Sequence, residues 1–263
     1  MRKNRSVIVS LLILIAVVII LTACDRGVRV GDLQTKSQTV ELDDADSVAV
    51  EIQMGAGELD ISGGVSELLE ASFAYNVEEL NPQATYSDGR LEVRESEVNE
   101  GISSLFDLDE YRNEWDLRFN ESVPMEMNID LGAGRSDLSL GTLALTRLNI
   151  DGGAGSVNLD LSGSQFLSWL NFTMGAGEVT VDLTGEWLDD LDARLEGGIG
   201  EITVRLPRNV GVRIDVQTGM GSVEASGLSN DGDTYTNDAY GVSDVNLRIE
   251  IEGGVGQINL EVE

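Results

Sequence analysis

The chain has no histidine, a single cysteine at Cys24, three prolines and, beyond Lys3, one lysine at Lys36. Each scarcity removes a class of chemistry. Without imidazole there is no histidine general base, no Ser-His-Asp triad and no ordinary zinc site. With Lys36 alone, near the N-terminus, serine-lysine hydrolysis, P-loop phosphate binding and Schiff-base catalysis lack their essential amine. One cysteine cannot close an internal disulfide, so stability must come from burial, for which the chain is long enough. Three prolines do not build a rigid stalk. Aromatic residues are 5% of the total, few for a sugar-binding groove. Lys and Arg number 17 against 47 Asp and Glu, a net charge of −30, and no nucleic-acid partner is expected of such a surface.

What is present begins with Arg2, Lys3 and Arg5, followed by an apolar run from Val7 to Leu21 broken only by Ser10. That is the layout of a secretory signal. It ends in Leu21-Thr22-Ala23-Cys24, which matches the lipobox of bacterial lipoproteins: small residues let a peptidase approach, and the cysteine supplies the thiol for lipid attachment. Residues 1–23 are therefore read as a lipoprotein signal peptide and Cys24 as the lipidated residue. An uncleaved anchor is the other reading, and it gives the same topology, with everything after residue 24 outside the cytoplasm. The expected location is extracytoplasmic, at the cell membrane. Cleavage would remove three basic residues and no acidic one, and so acidic a protein must be held by acyl chains rather than by a basic patch. Residues 24–39 show no sustained apolar periodicity and read as a flexible tether.

A Gly-x-Gly element recurs seven times, at Gly55, Gly132, Gly153, Gly175, Gly198, Gly219 and Gly254. From Gly132 to Gly219 the intervals are 21, 22, 23 and 21 residues, which predicts a tandem array of stacked units. Three residues before each first glycine stand Ile52, Ile129, Ile150, Phe172, Leu195, Val216 and Ile251. After the second glycine alternation resumes, as in Val157-Leu159-Leu161 and Val179-Val181-Leu183. Period-two alternation on both sides predicts two strands per repeat, each with one buried face. The middle residue is always apolar, from Ala56 to Val255, and is expected to point into the same core. One such unit cannot fold alone, and stacking generates an all-β, parallel β-solenoid over residues 126–263. Three features break the pattern: Ser136 at an apolar position, a thin Val223-Glu224-Ala225, and a polar excursion from Leu228 to Ser243. Residues 40–125 form a related, less regular β region with a tight turn at Ser87-Asp88-Gly89. The acidic stretch 100–122, carrying Trp115 and Phe119, reads as a loop, a short helix or a cap.

The glycine elements invite two ligand readings, and both fail on spacing. A dinucleotide fingerprint needs a third glycine, where this chain has Asp60, Asp137, Asn158, Thr180, Thr203, Glu224 or Asn259. A calcium β-roll needs an aspartate two residues after the last glycine; there stand Val157, Ile202 and Ile258. Looser cation binding at Asp189, Asp190 and Asp192 is weaker than the alternative, a solvated acidic face that resists edge-to-edge pairing. Trp169 and Trp187 are expected to pack at coil corners. No catalytic, cofactor or metal residue is assigned.

The segment Val48 to Leu80, with Met54-Gly55-Ala56-Gly57-Glu58-Leu59 and Gly63-Gly64, the Leu131-Gly132-Ala133-Gly134 and Gly197-Gly198-Ile199-Gly200 elements, and Asn237-Asp238-Ala239-Tyr240-Gly241 together resemble the toast-rack family of bacterial envelope proteins. The resemblance spans about residues 40–263. It implies a β-solenoid similar to the C-terminal domains of cell-wall-active-antibiotic-response (LiaF-like) proteins and to adhesin-like proteins, and it carries over no catalytic residue. The expected function is non-enzymatic: an envelope scaffold or stress-response component with a protein partner. A cell-wall glycan binder is the alternative, with a carboxylate-based carbohydrate-active enzyme behind it.

Overall fold

Alternation alone makes straight strands; what bends these is a break in phase. Ile150 and Val157, Phe172 and Val179, and Leu195 and Ile202 are all buried, although seven residues separate each pair, an odd number that should place them on opposite faces. Each Gly-x-Gly absorbs the odd residue, so one side of the chain stays inward around a corner. In the computed structural model, which describes residues 30–42, 45–96 and 110–263, fourteen strands join in one open, mostly parallel sheet. Its rungs are β2 (Val48–Val65), β7 (Met125–Ser139), β8 (Leu145–Asp160), β9 (Trp169–Asp182), β10 (Leu191–Leu206), β11 (Gly211–Ser226) and β14 (Asn246–Val262). Each rung is one long strand folded at its glycines into two arms, and the coils stack into the β-solenoid that the repeat predicts.

The register is in phase across coils. Ile52, Ile129, Ile150, Phe172, Leu195, Ile251 and Val216 form one ladder of aligned neighbours. All are buried. Connections between rungs close the third side of each coil with Leu140 and Leu143, Leu161 and Leu167, and Leu183 and Trp187, also buried. Trp187 donates its indole N–H to the Leu183 carbonyl at 2.8 Å, as a corner tryptophan should. Trp169 does not pack inward: it is exposed, with the Arg147 guanidinium 5.7 Å above its ring.

At six of the seven corners the second glycine, Gly57, Gly134, Gly155, Gly177, Gly200 or Gly256, has φ between +137° and +148°, and only Gly221 on the end rung β11 does not. A side chain at Gly177 would overlap the Gly155 carbonyl of the coil below. The corners thus stack backbone on backbone, which only glycine allows. The middle residue, however, points away from the core. Ile199 is 63% exposed, Met220 72% and Val255 42%. The break in phase falls ahead of it, so it follows the outward register of the second arm rather than the inward register of the first.

At the N-terminal end the two arms of β2 part company. The first arm pairs with β5 (Arg90–Arg94), which forms a hairpin with β4 (Gln83–Ser87). Its turn residues Asp88 and Gly89 have positive φ, as the tight turn requires. The second arm pairs with β6 (Asn113–Asn120), which continues antiparallel through β3 (Leu69–Tyr75) to β1 (Gln34–Val40). Residues 34–39, read as part of the tether, therefore belong to a strand: β1 finds a complete antiparallel partner in β3, which composition could not foretell. Within the stretch 100–122, of which residues 100–109 lie outside the described residues, Asn113–Asn120 is strand β6, whose Trp115 packs edge-on against Phe73, centroids 5.4 Å apart. No break separates 40–125 from 126–263, because β2 pairs with β7 along both arms.

The array is not tandem to its end. β14, last in sequence, lies between β10 and β11. β10 and β14 align from Leu191 with Leu247 to Leu206 with Val262, and β11 is pushed to the outermost place. The excursion between β11 and β14 forms a small hairpin, β12 (Ser229–Asp231) and β13 (Thr234–Thr236), and β13 pairs with β11 at Arg213–Asp215. Buried Asn237 pins the excursion: its amide donates to the carbonyls of Pro207 at 3.1 Å and Val210 at 2.7 Å, and its oxygen accepts from the amides of Val212 and Tyr240.

Candidate interaction surfaces

Cys24 and the signal-like segment lie outside the described residues, and among the described residues no helix is long and apolar enough to cross a membrane. The surfaces that can be read belong to the solenoid.

The first is the outer face of the arms, where charges alternate with the buried ladder. Some of its carboxylates pair with arginines of the next coil. Arg248 on β14 meets Asp190 at 3.0 Å and Asp192 at 2.7 Å, and Arg194 on β10 meets Glu250 at 3.1 Å, Glu252 at 2.8 Å and Glu196. The Asn246 amide and Arg248 together hold the Asp190 carboxyl below its usual range. Asp190 and Asp192 are thus ion-pair partners, and no group of three or more potential metal ligands occurs among the described residues. Elsewhere like charges stand in register: Asp130 beside Asp151, and Asp60 beside Asp137. Partial burial first, and these neighbours second, raise the carboxyls of Asp130 and Asp60.

The second surface lies at the first corner, where β5 and β6 diverge and leave the outward backbone of Gly55-Ala56-Gly57 without a coil to stack on. Side chains take the missing coil's place. The Ala56 carbonyl accepts the Tyr111 hydroxyl at 2.9 Å and the Asn113 amide at 2.8 Å. The same Asn113 amide reaches Glu95 at 2.6 Å, and its oxygen accepts the Trp115 indole N–H at 2.8 Å. Burial raises the Glu95 carboxyl, opposed by its bonds from Asn113 and the Gly55 amide, and burial pushes the Tyr111 hydroxyl up to about 12. Both groups are engaged in capping the corner. Sequence reasoning missed this cluster, because its members fall outside the repeat and are brought together only when the layers split.

The third surface is the C-terminal end. The four corners nearest the N-terminus carry Ala56, Ala133, Ala154 and Ala176; the last three in space carry Ile199, Val255 and Met220, aligned with one another. Beyond Met220 the second arm of β11 pairs with β14 on one side only, since β13 reaches no further than Asp215 and the Val216 amide bonds to Asp233.

The protein is a parallel β-solenoid with stacked glycine corners, its exposed features set at corners and ends. The chain belongs to the toast-rack family. The model of that family's N-terminal domain (DUF2154) matches residues 29–168 and 166–205. A solved structure from Clostridium sporogenes, provisionally named a cell adhesion protein, is 31% identical with a TM-score of 0.67, covering 88% of this chain and 100% of that one. Two more distant structures overlay poorly. One is an adhesin candidate from Bacteroides fragilis, 11% identical with a TM-score of 0.29 over 87% of this chain and 96% of that one. The other is a candidate lipid binding protein from Parabacteroides distasonis, 13% identical with a TM-score of 0.33 over 88% and 98%. No protein of curated function matches the chain.

Proposed function

We propose that this protein is a lipid-anchored, extracytoplasmic scaffold of the bacterial cell envelope that works by binding rather than by catalysis. The observation that carries the reading is its likeness to the clostridial protein named for cell adhesion, over that protein's whole length. The order of signal elements ending at Cys24 supports the anchor. Chemistry agrees: there is no histidine, and beyond Lys3 the one lysine, Lys36, donates to the Pro82 carbonyl and Asn81. The test is fractionation of cells producing the full chain. Wild type should partition into detergent with a mass that begins at lipidated Cys24, because two or more acyl chains hold stably. Cys24→Ala should lack the lipid. A soluble wild type, or one retaining residues 1–23, would remove the anchor from the reading.

Glycan binding is the second reading, favoured by exposed Phe166 and Trp169, three residues apart where the connection from β8 enters β9. Purified protein should then sediment with cell-wall material and lose that association in Trp169→Ala. Sedimentation unchanged by the substitution would leave protein binding as the reading.

A further inference from the structure

The two ends of the solenoid are finished differently. At the N-terminal end both arms of β2 are continued, by β5 and β4 on one side and by β6, β3 and β1 on the other. At the C-terminal end only the first arm of β11 is covered, by β13 at Arg213–Asp215. From Gly219 to Ser226 the outward edge of β11 has no partner among the described residues, and every residue there but the half-buried Val223 is exposed. Such an edge is a template for another strand, and natural proteins usually blunt it with lysine, proline, a bulge or a covering loop. This one has no lysine, proline or arginine in Gly219–Ser226, and its single charge is Glu224. Its pairing with β14 is in unbroken register up to Ser226.

A second, separate observation marks the same place. The exposed corner residues change from alanine to Ile199, Val255 and Met220 only in the three coils nearest this edge, and Met220 sits on the edge strand itself, 72% exposed. Large apolar side chains at 42–72% exposure are not required by the corner, since alanine serves at the other four.

We infer that the free edge of β11, Gly219–Ser226, is a strand-addition site for an extended, basic segment of a partner protein. Main-chain hydrogen bonds would continue the sheet, as in other β-augmentation complexes. Alternate side chains of the incoming strand would lie beside Val223 and Ala225, so these must be apolar. The intervening ones would share the outer face with Met220, Glu224 and Glu261, where Glu224 is aligned with Asn259 and Glu261 with Ser226 across the β11–β14 pair. That face, on a chain of net charge −30, calls for lysine or arginine. The same charge opposes a second copy of this chain as occupant. The inference rests on the binding reading above and names the partner's chemistry.

The experiment is amide hydrogen exchange on the purified full-length protein in detergent micelles, with three synthetic eight-residue peptides. One alternates lysine and valine, one has the same composition in two blocks, and one alternates glutamate and valine. The alternating lysine peptide should slow exchange several-fold at the Gly219–Ser226 amides that face away from β14, and the other two should not. Glu224→Lys, a surface change that leaves the core intact, should weaken that peptide about two- to fivefold, the range of one exposed ion pair. The proposal is overturned by unchanged exchange at these amides, by equal slowing with the blocked peptide, or by a dimer whose edge is already protected. Because the assay uses purified protein, it is independent of cellular location: loss of the anchor reading would leave it standing, and its failure would leave the anchor untouched.

Discussion

Gly177 meets two demands that no other residue meets together. Its φ is +140°, and a side chain on it would overlap the Gly155 carbonyl. Gly175, two residues earlier, has an ordinary backbone, and an added methyl would stand 2.6 Å from the Gly153 carbonyl oxygen. Gly177→Ala is therefore expected to cost about 3 kcal/mol or more, combining strain and overlap, and Gly175→Ala clearly less. Ile199→Ser should stay within about 0.5 kcal/mol despite removing a large apolar side chain, because that side chain is exposed. Thermal unfolding of the three side by side checks the order. A large loss in Ile199→Ser would restore the corner residue to the core. Glu95 makes a pH-dependent prediction. Its carboxyl is raised above the ordinary 4.5, chiefly by burial, so the folded state holds the proton more tightly than the unfolded chain. The resulting stability is complete below about pH 4.5 and is lost as pH rises through the folded value. Glu95→Gln should abolish that loss, leaving the variant relatively more stable at pH 7 than at pH 4; an identical pH dependence in both proteins would contradict the burial.

Strands β11 and β14 carry the same first-arm pattern, Ile214 and Val216 against Ile249 and Ile251, so their order in space was not readable from spacing. The difference lies in the second arm. β14 offers Ile258, Leu260 and Val262, whereas β11 offers Val223 and Ala225. An inner coil is covered on both sides and needs the full apolar set; an end coil does not, and the thin strand goes to the end. The thinness was visible in the sequence, but its consequence required knowing that the chain returns. Removing residues 246–263 should therefore unfold more than one strand's worth of structure, since β11 meets β10 only through β14. Circular dichroism and proteolysis of the truncated chain should show loss of both rungs; a protein with only its final peptide missing and β11 still protected would refute the order. Asn237→Ala is expected to cost about 2–3 kcal/mol, because it leaves buried backbone groups of Pro207, Val210 and Val212 without partners.

The molecule as a whole carries far more acid than its arginines can pair, and the repeat places some of that acid in register, as at Asp130 with Asp151. Both added salt and a fall in pH from neutrality towards the carboxylate range should raise the melting temperature, by screening and by protonating the raised carboxyls. A salt-insensitive melt would mean the arginine pairs already balance the surface. The solenoid, the inward ladder and the glycine corners could all be read from the periodicity of one sequence, because each depends on local alternation repeated in phase. The capping cluster at Glu95, the strand at Gln34–Val40 and the open edge of β11 could not, because each arises where the repeat stops and distant segments meet. The outward-facing scaffold remains the central claim, and one measurement addresses it directly. Ser229 is exposed on β12, and the chain has no cysteine but Cys24, so Ser229→Cys provides a single reporter thiol on the solenoid. A membrane-impermeant maleimide added to intact cells should label it as fully as it does after lysis; labelling that appears only after lysis would place the solenoid inside the cell and contradict the account.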